Sequence, residues 1–119
     1  YYCGTAGTAT EYSDAQWTEL LAKAFAIEGI VTGARAMMDE YDPERRIKLL
    51  IDEWGAWHPV EEGRPSSGLY QQNTVRDACV AALSLDVFHR HADKIWMANI
   101  ARLINVLQAV LLVEDDKCI

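Results

Sequence analysis

The sequence predicts an α/β chain with parallel strands, a piece of a larger barrel or doubly wound domain, on three observations. Helix-like and strand-like segments alternate in the order loop, helix, strand, loop, helix, strand, the pattern of crossover-connected parallel strands. Two strands cannot close a sheet, and a parallel pair wants helices over both faces. A length of 119 residues fits one domain or part of one, so about two βα units would leave large apolar surfaces bare. Half of the residues are hydrophobic and 24% are charged, a balance that excludes disorder.

Each element has a local reason. Residues 3–12 (CGTAGTATEY) are rich in Gly, Thr and Ala without helical periodicity and read as a loop. Ser13 with Gln16 three residues later is a capping-box pattern. From there Trp17, Leu20, Leu21, Ala24, Ile27, Ile30, Val31, Ala34, Met37, Met38 and Tyr41 recur at three- and four-residue spacing, which predicts one long amphipathic helix. Gly29 and Gly33 inside it suggest a bend or close packing. Asp42-Pro43 ends it, because proline disfavours helical geometry in the residue before it. Residues 47–51 (IKLLI) form a short aliphatic run that fits a buried strand, and residues 59–70 read as an extended loop. Asn73 or Thr74 caps a second helix with Val75, Ala78, Cys79, Ala82, Leu85, Val87 and Phe88 on its apolar side. A second strand follows at residues 95–98, and residues 100–113 stay apolar with ambiguous periodicity.

Composition excludes several classes. Eleven lysines and arginines stand against 18 acidic residues, a net charge of −7, so the basic patch of a nucleic-acid binder is missing and an acidic membrane surface is disfavoured. The apolar runs, such as residues 109–113, fall far short of the roughly 20 residues of a bilayer span. Cys3, Cys79 and Cys118 are odd in number and widely spaced and read as reduced thiols, with Cys79 a buried structural one. No metal is expected: His89 and His91 at i, i+2 do not share a helix face, and His91 and Asp93 are expected to satisfy backbone groups at a turn. Glu61-Glu62 and Asp115-Asp116 read as solvated loops.

The chemistry concentrates in residues 51–58 (IDEWGAWH). Strand alternation puts Ile47, Leu49, Ile51 and Glu53 on one face. An apolar run that ends on a carboxylate at the C-terminal end of a strand is where a barrel enzyme places its chemistry. Trp54 and Trp57 set flat apolar surfaces beside the acid, suited to a sugar face, and His58 adds a polar tip. An acid among aromatics points toward glycoside hydrolysis. The plainer alternative is a solvated Glu53 at a strand end with both tryptophans in the core.

The run IDEWGAWHPVEEG, the later run LYQQNTVRDACVAALSLDVFHRHADKIWMANIARLINVLQ and the opening YYCGTAGTATEYSDAQWTELLAKAF together resemble glycoside hydrolase family 51 α-L-arabinofuranosidases. The resemblance spans essentially the whole chain and implies a partial TIM (β/α)8 barrel, about its last two to three βα units, with residues 1–119 a fragment of the catalytic domain. It implies that Glu53, in the Asp-Glu-Trp motif, is the nucleophile of a retaining mechanism. It further implies that Trp57 lines the sugar subsite and that Tyr2 contacts the nucleophile or the sugar. Where the family has a glutamine, this chain has Arg102, which can donate to a sugar hydroxyl but cannot accept from one. The family's general acid/base lies in an Asn-Glu pair, a dipeptide absent from this chain, so the isolated fragment is expected to be inactive.

The resemblance implies a terminal α-L-arabinofuranosyl oligosaccharide or polysaccharide as substrate, no cofactor, and a cytoplasmic parent that forms homo-oligomers. Both ends of the sequence read as cut: Tyr1 opens it with no initiator methionine or signal peptide, and Ile119 closes it just after an apolar stretch. The competing expectation is a non-catalytic sugar-binding or interaction module that uses a Trp54/Trp57 surface with Glu53.

Overall fold

A computed structural model describes residues 1–4, 6–64 and 69–118. In chain order the elements are β1 (Tyr2–Cys3), α1 (Asp14–Phe25), α2 (Ile27–Tyr41), β2 (Leu49–Ala56), α3 (Val75–Arg90), β3 (Ile95–Ile100), β4 (Val113–Glu114) and β5 (Lys117–Cys118). The first three strands form one sheet in the order β1-β2-β3, and both pairings are parallel. The α/β class is thus present as an open three-stranded sheet. Strands β4 and β5 form a separate antiparallel hairpin. No helix follows β3 among the described residues, so the third unit is a strand without its helix.

The long first helix is in fact two. Ser13 and Gln16 make the expected reciprocal capping box at the start of α1, and the helical run breaks at Ala26. The break lets each half serve a different core. Leu20 and Ala24 of α1 pack with Cys3, Ala6, Ala56 and Val80, whereas Ile27 and Val31 of α2 pack with Trp54, Val87, Phe88 and Ile95. Gly29 and Gly33 do not cause it, since a Cβ at either would meet nothing. Much of the expected apolar stripe also stays in solvent: Ile30, Met37 and Tyr41 are exposed.

Helix α3 begins on Thr74 and Asp77 in a reciprocal capping box. Its inward side departs from the expected one. Arg76, Asp77, Val80, Ser84, Val87 and Phe88 are buried, while Val75 and Leu85 are exposed and Cys79 is half-buried. Two of the expected apolar residues, Val87 and Phe88, do face the core; further toward the N-terminus a buried polar cluster has displaced the apolar pattern.

Strand β2 does not keep simple alternation. Leu49 and Ile51 pack against the cluster formed with the helices, which also holds Trp54. The pairing with β3 shifts register between Ile51 and Trp54. An irregularity of this kind inserts a residue and resets which side faces which way, so Trp54 joins Leu49 and Ile51 in one core. Between α2 and the lower edge of β2 runs a groove of about 360 Å³, lined mainly by Ile27, Ile30, Val31, Leu49 and Ile51, with Glu53 at its end.

The segment around His91 is an ion-pair junction. Arg35 makes a two-pronged contact with Asp93 at 2.6 and 2.7 Å, and His91 Nε2 lies 3.1 Å from Glu28. The main chain of His91 also serves the turn, its carbonyl accepting from the Lys94 and Ile95 N–H groups. Glu61 is tied down rather than solvated, accepting from the Thr8 hydroxyl and from the Thr10 N–H and hydroxyl.

Candidate active site

Because β1, β2 and β3 are parallel, their C-terminal ends lie on one side of the sheet, and the expected site residues belong to those ends. Tyr2 opens the two-residue β1, Glu53 lies in the second half of β2 and Trp57 directly after it, and Arg102 follows β3. The pairing Tyr2↔Gly55 sets β1 beside the upper part of β2. The Tyr1 amino group donates to the Glu53 carbonyl at 2.6 Å, and the Gly55 N–H donates to the Tyr1 carbonyl at 3.2 Å.

Three of these side chains come together. Trp57 meets the Tyr2 ring edge-on, with centroids 5.5 Å apart and planes at 78°. The Tyr2 hydroxyl is buried, beside the Glu53 carboxylate. Its pKa is raised, first by burial and then by the Glu53 carboxylate beside it, with Arg102 pulling the other way. The phenol therefore stays protonated and available to donate to a carboxylate or a sugar oxygen. Glu53 and Arg102 are exposed, and Trp57 is 43% exposed, so an acid, a phenol and an indole share an open face. Arg102 acts on this group through its charge.

Two expected members are elsewhere. Trp54 is 4% exposed and packs edge-on against Phe88 at 5.4 Å, so it belongs to the core and offers no sugar-facing surface. A module using both tryptophans as a contact surface loses one of them. His58 is buried as well, with Nε2 2.9 Å from the Asp77 carboxylate and its N–H donating to Gln71. With Nε2–H donating to Asp77, Nδ1 presents a lone pair toward Arg76, 3.5 Å away.

Residues that spacing did not single out hold this strand end in place. Arg76 is fully buried. It donates to the Ala6 and Thr8 carbonyls, each at 2.6 Å, and lies 3.7 Å from the Tyr12 ring centroid, a cation–π contact. Burial lowers its pKa, with Asp77 and Tyr12 opposing. The Gln71 amide donates to the Ala56 carbonyl at 3.0 Å. The Gln108 carbonyl accepts from the Ala56 N–H at 2.8 Å, and its amide donates to the Asp77 carbonyl at 2.7 Å.

One carboxylate flanked by a phenol and an indole can hold a sugar ring and attack a carbon. A retaining glycosidase needs a second carboxyl group about 5–5.5 Å away.

The family model of the α-L-arabinofuranosidase C-terminal domain matches residues 52–119. An intracellular exo-α-L-arabinofuranosidase of Bacteroides ovatus is 44% identical over 120 residues, covering 99% of this chain and 23% of that protein. A probable α-L-arabinofuranosidase C of Aspergillus terreus is 31% identical over 112 residues, 91% of this chain and 22% of that one. Among solved structures, the GH51 arabinofuranosidase of Xanthomonas axonopodis pv. citri superposes with a TM-score of 0.92 at 39% identity, over 97% of this chain and 23% of that one. The Thermotoga maritima α-L-arabinofuranosidase in its arabinose complex shares the fold, with a TM-score of 0.74 at 23% identity over 90% of this chain and 21% of that one. The chain thus spans about a quarter of the length of the relatives it matches.

Proposed function

Since the chain belongs to the α-L-arabinofuranosidase C-terminal family, as the C-terminal part of a glycoside hydrolase family 51 enzyme, we propose that it carries the nucleophile half of a retaining arabinofuranosidase site. The substrate is a terminal, non-reducing α-L-arabinofuranosyl unit on an oligosaccharide or polysaccharide. The observation that carries the reading is the gathering of Glu53, Tyr2 and Trp57 in and just past the upper halves of neighbouring parallel strands, with Arg102 just after the next.

In this reading the sheet is part of a (β/α)8 barrel, with residues 1–119 inside a longer catalytic chain. On its β1 side the lower part of β2, where the groove lies, has no described strand beside it, which supports a sheet that continues. Such a parent would be a cytoplasmic homo-oligomer.

The Glu53 carboxylate attacks the anomeric carbon as the bond to the leaving oxygen breaks, and that oxygen takes a proton from a carboxylic acid outside this chain. Water then attacks the same carbon and releases Glu53, giving its proton to the second carboxylate, with net retention. Tyr2 donates a hydrogen bond at Glu53 and Trp57 packs against the sugar.

The test is Glu53→Gln in the full-length protein, assayed on 4-nitrophenyl α-L-arabinofuranoside. Turnover is expected to fall by at least about 10³-fold with the melting temperature little changed. With Glu53→Ala, added azide should restore product release as an arabinofuranosyl azide of inverted configuration. Near-normal turnover by Glu53→Gln sinks the nucleophile assignment.

A further inference from the structure

We infer that Gln108 and Gln71 are positioning residues for this reaction, a pair of buried carboxamides that hold the main chain on both sides of Trp57 and so set its indole against Tyr2 beside Glu53. The inference rests on the arabinofuranosidase reading above and assigns a role to residues outside the substrate-facing group.

Trp57 is an exposed aromatic at the point where β2 leaves the sheet. On the β3 side the pairing ends at Trp54↔Ile100. Ala56, two residues on, is wholly buried, so its N–H has no water to turn to and would be costly to leave unmet. Gln108 supplies the acceptor, and its amide is anchored on the Asp77 carbonyl in the first turn of α3. From the other direction Gln71 donates to the Ala56 carbonyl and accepts from the His58 N–H. Three main-chain groups flanking Trp57 are therefore bound to two side chains, each only 4% exposed. Both carboxamides use a donor and an acceptor, a fully satisfied arrangement of the kind that fixes one geometry.

Gly55 makes the arrangement possible. It sits at φ +140°, and a Cβ there would lie 3.0 Å from Gln108 Oε1 and 3.3 Å from Gln108 Cβ. Gln108 thus packs directly on the main chain between Trp54 and Ala56. A strand ladder alone would carry the chain straight on; carboxamides in its place let the chain leave the sheet at Trp57 with its polar groups met.

The experiment uses the full-length protein with 4-nitrophenyl α-L-arabinofuranoside. Gln108→Leu and Gln71→Leu should each lower kcat/KM by about 10- to 100-fold, the scale of a misplacement near 1 Å. Gln108→Glu separates positioning from bulk stability. A neutral carboxyl can accept from Ala56 N–H and donate to the Asp77 carbonyl, whereas an ionised one cannot donate. The ratio of its kcat/KM to that of the wild type should therefore climb as pH falls from about 8 to about 5, because burial raises the introduced carboxyl. The same ratio for Gln108→Leu should stay flat. His58, Asp77 and Arg76 beside this strand end, Cys3 and Tyr2 of the paired β1, and Glu53 of β2 itself are present in every protein compared, so their own titrations appear in both terms of the ratio. If Gln108→Leu does not fold, the glutamate variant at the acid end carries the test. Leucine variants within about twofold of wild type, or a pH-independent ratio for Gln108→Glu, overturn the inference while leaving the nucleophile assignment intact. A wild type without turnover, or an active Glu53→Gln, overturns both.

Discussion

Gly55→Ala is a one-methyl change whose cost can be worked out from the strand end. The added Cβ would stand 3.0 Å from Gln108 Oε1, several tenths of an ångström inside ordinary contact. Gln108 cannot simply yield, because it is buried and held at 2.8 Å by Ala56 and at 2.7 Å by Asp77. Moving it breaks one of those bonds and leaves a buried group unmet, at about 1–3 kcal/mol. The backbone adds its own term, since φ +140° is ground for glycine and costs an L-residue about 1–3 kcal/mol. The expected destabilisation is about 2–6 kcal/mol, with a fall in kcat/KM because the same displacement reaches Trp57. Thermal unfolding and steady-state kinetics of the full-length protein read both quantities. The double variant with Gln108→Ala should cost less than the two single changes added together, by about 1 kcal/mol, because it removes the clash. A Gly55→Ala protein with unchanged melting temperature and unchanged kcat/KM would refute the reasoning.

The two tryptophans should separate cleanly. Trp54→Ala is expected to destabilise the fold by about 3–5 kcal/mol, whereas Trp57→Ala should leave the melting temperature nearly unchanged and raise KM; the reverse pattern would overturn the placement of both. The chain alone, residues 1–119, should not turn over 4-nitrophenyl α-L-arabinofuranoside, because one carboxylate of the pair is missing; measurable turnover by pure material would contradict this. The Arg35–Asp93 contact should make stability sensitive to acid. Arg35 holds the Asp93 carboxyl below its ordinary value, so the contribution is complete above the unfolded value of about 3.9 and is lost as pH falls through the lower native value. Arg35→Met should flatten that acid limb in a pH series of thermal melts, and an unchanged limb would discount the contact.

The order of helices and strands was legible because capping residues and apolar runs are local signals. Ser13 with Gln16 and Thr74 as N-cap state where two helices begin. The break at Ala26 was not legible, since no proline or glycine marks it; it follows from two separate cores that only tertiary packing creates. Strand alternation assigned Glu53 a face shared with Leu49 and Ile51, and the three do line one groove, but alternation did not show that the register shift before Trp54 brings that residue into the same core. Trp54 and Trp57 look alike in sequence, and which of them is core depends on where Phe88 of α3 comes to lie. The inward face of α3 was misread because Arg76 and Asp77 are charged residues whose partners lie in distant loops. Gln71 and Gln108 fall in stretches without periodicity, so nothing local announces that they meet Ala56.

The bond between Gln108 and Ala56 spans 52 positions of sequence, and this separation has a temporal side. A ribosome adding about 5–20 residues per second takes roughly 3–10 seconds to get from one partner to the other. During that interval β2 has been made, yet its end lacks the acceptor that completes it. Trp57 reaches its seat only after the later segment has emerged and folded back, so competence for chemistry trails the synthesis of Glu53 itself. A nascent chain stopped short of Gln108 would carry the acid and the indole without the means to align them.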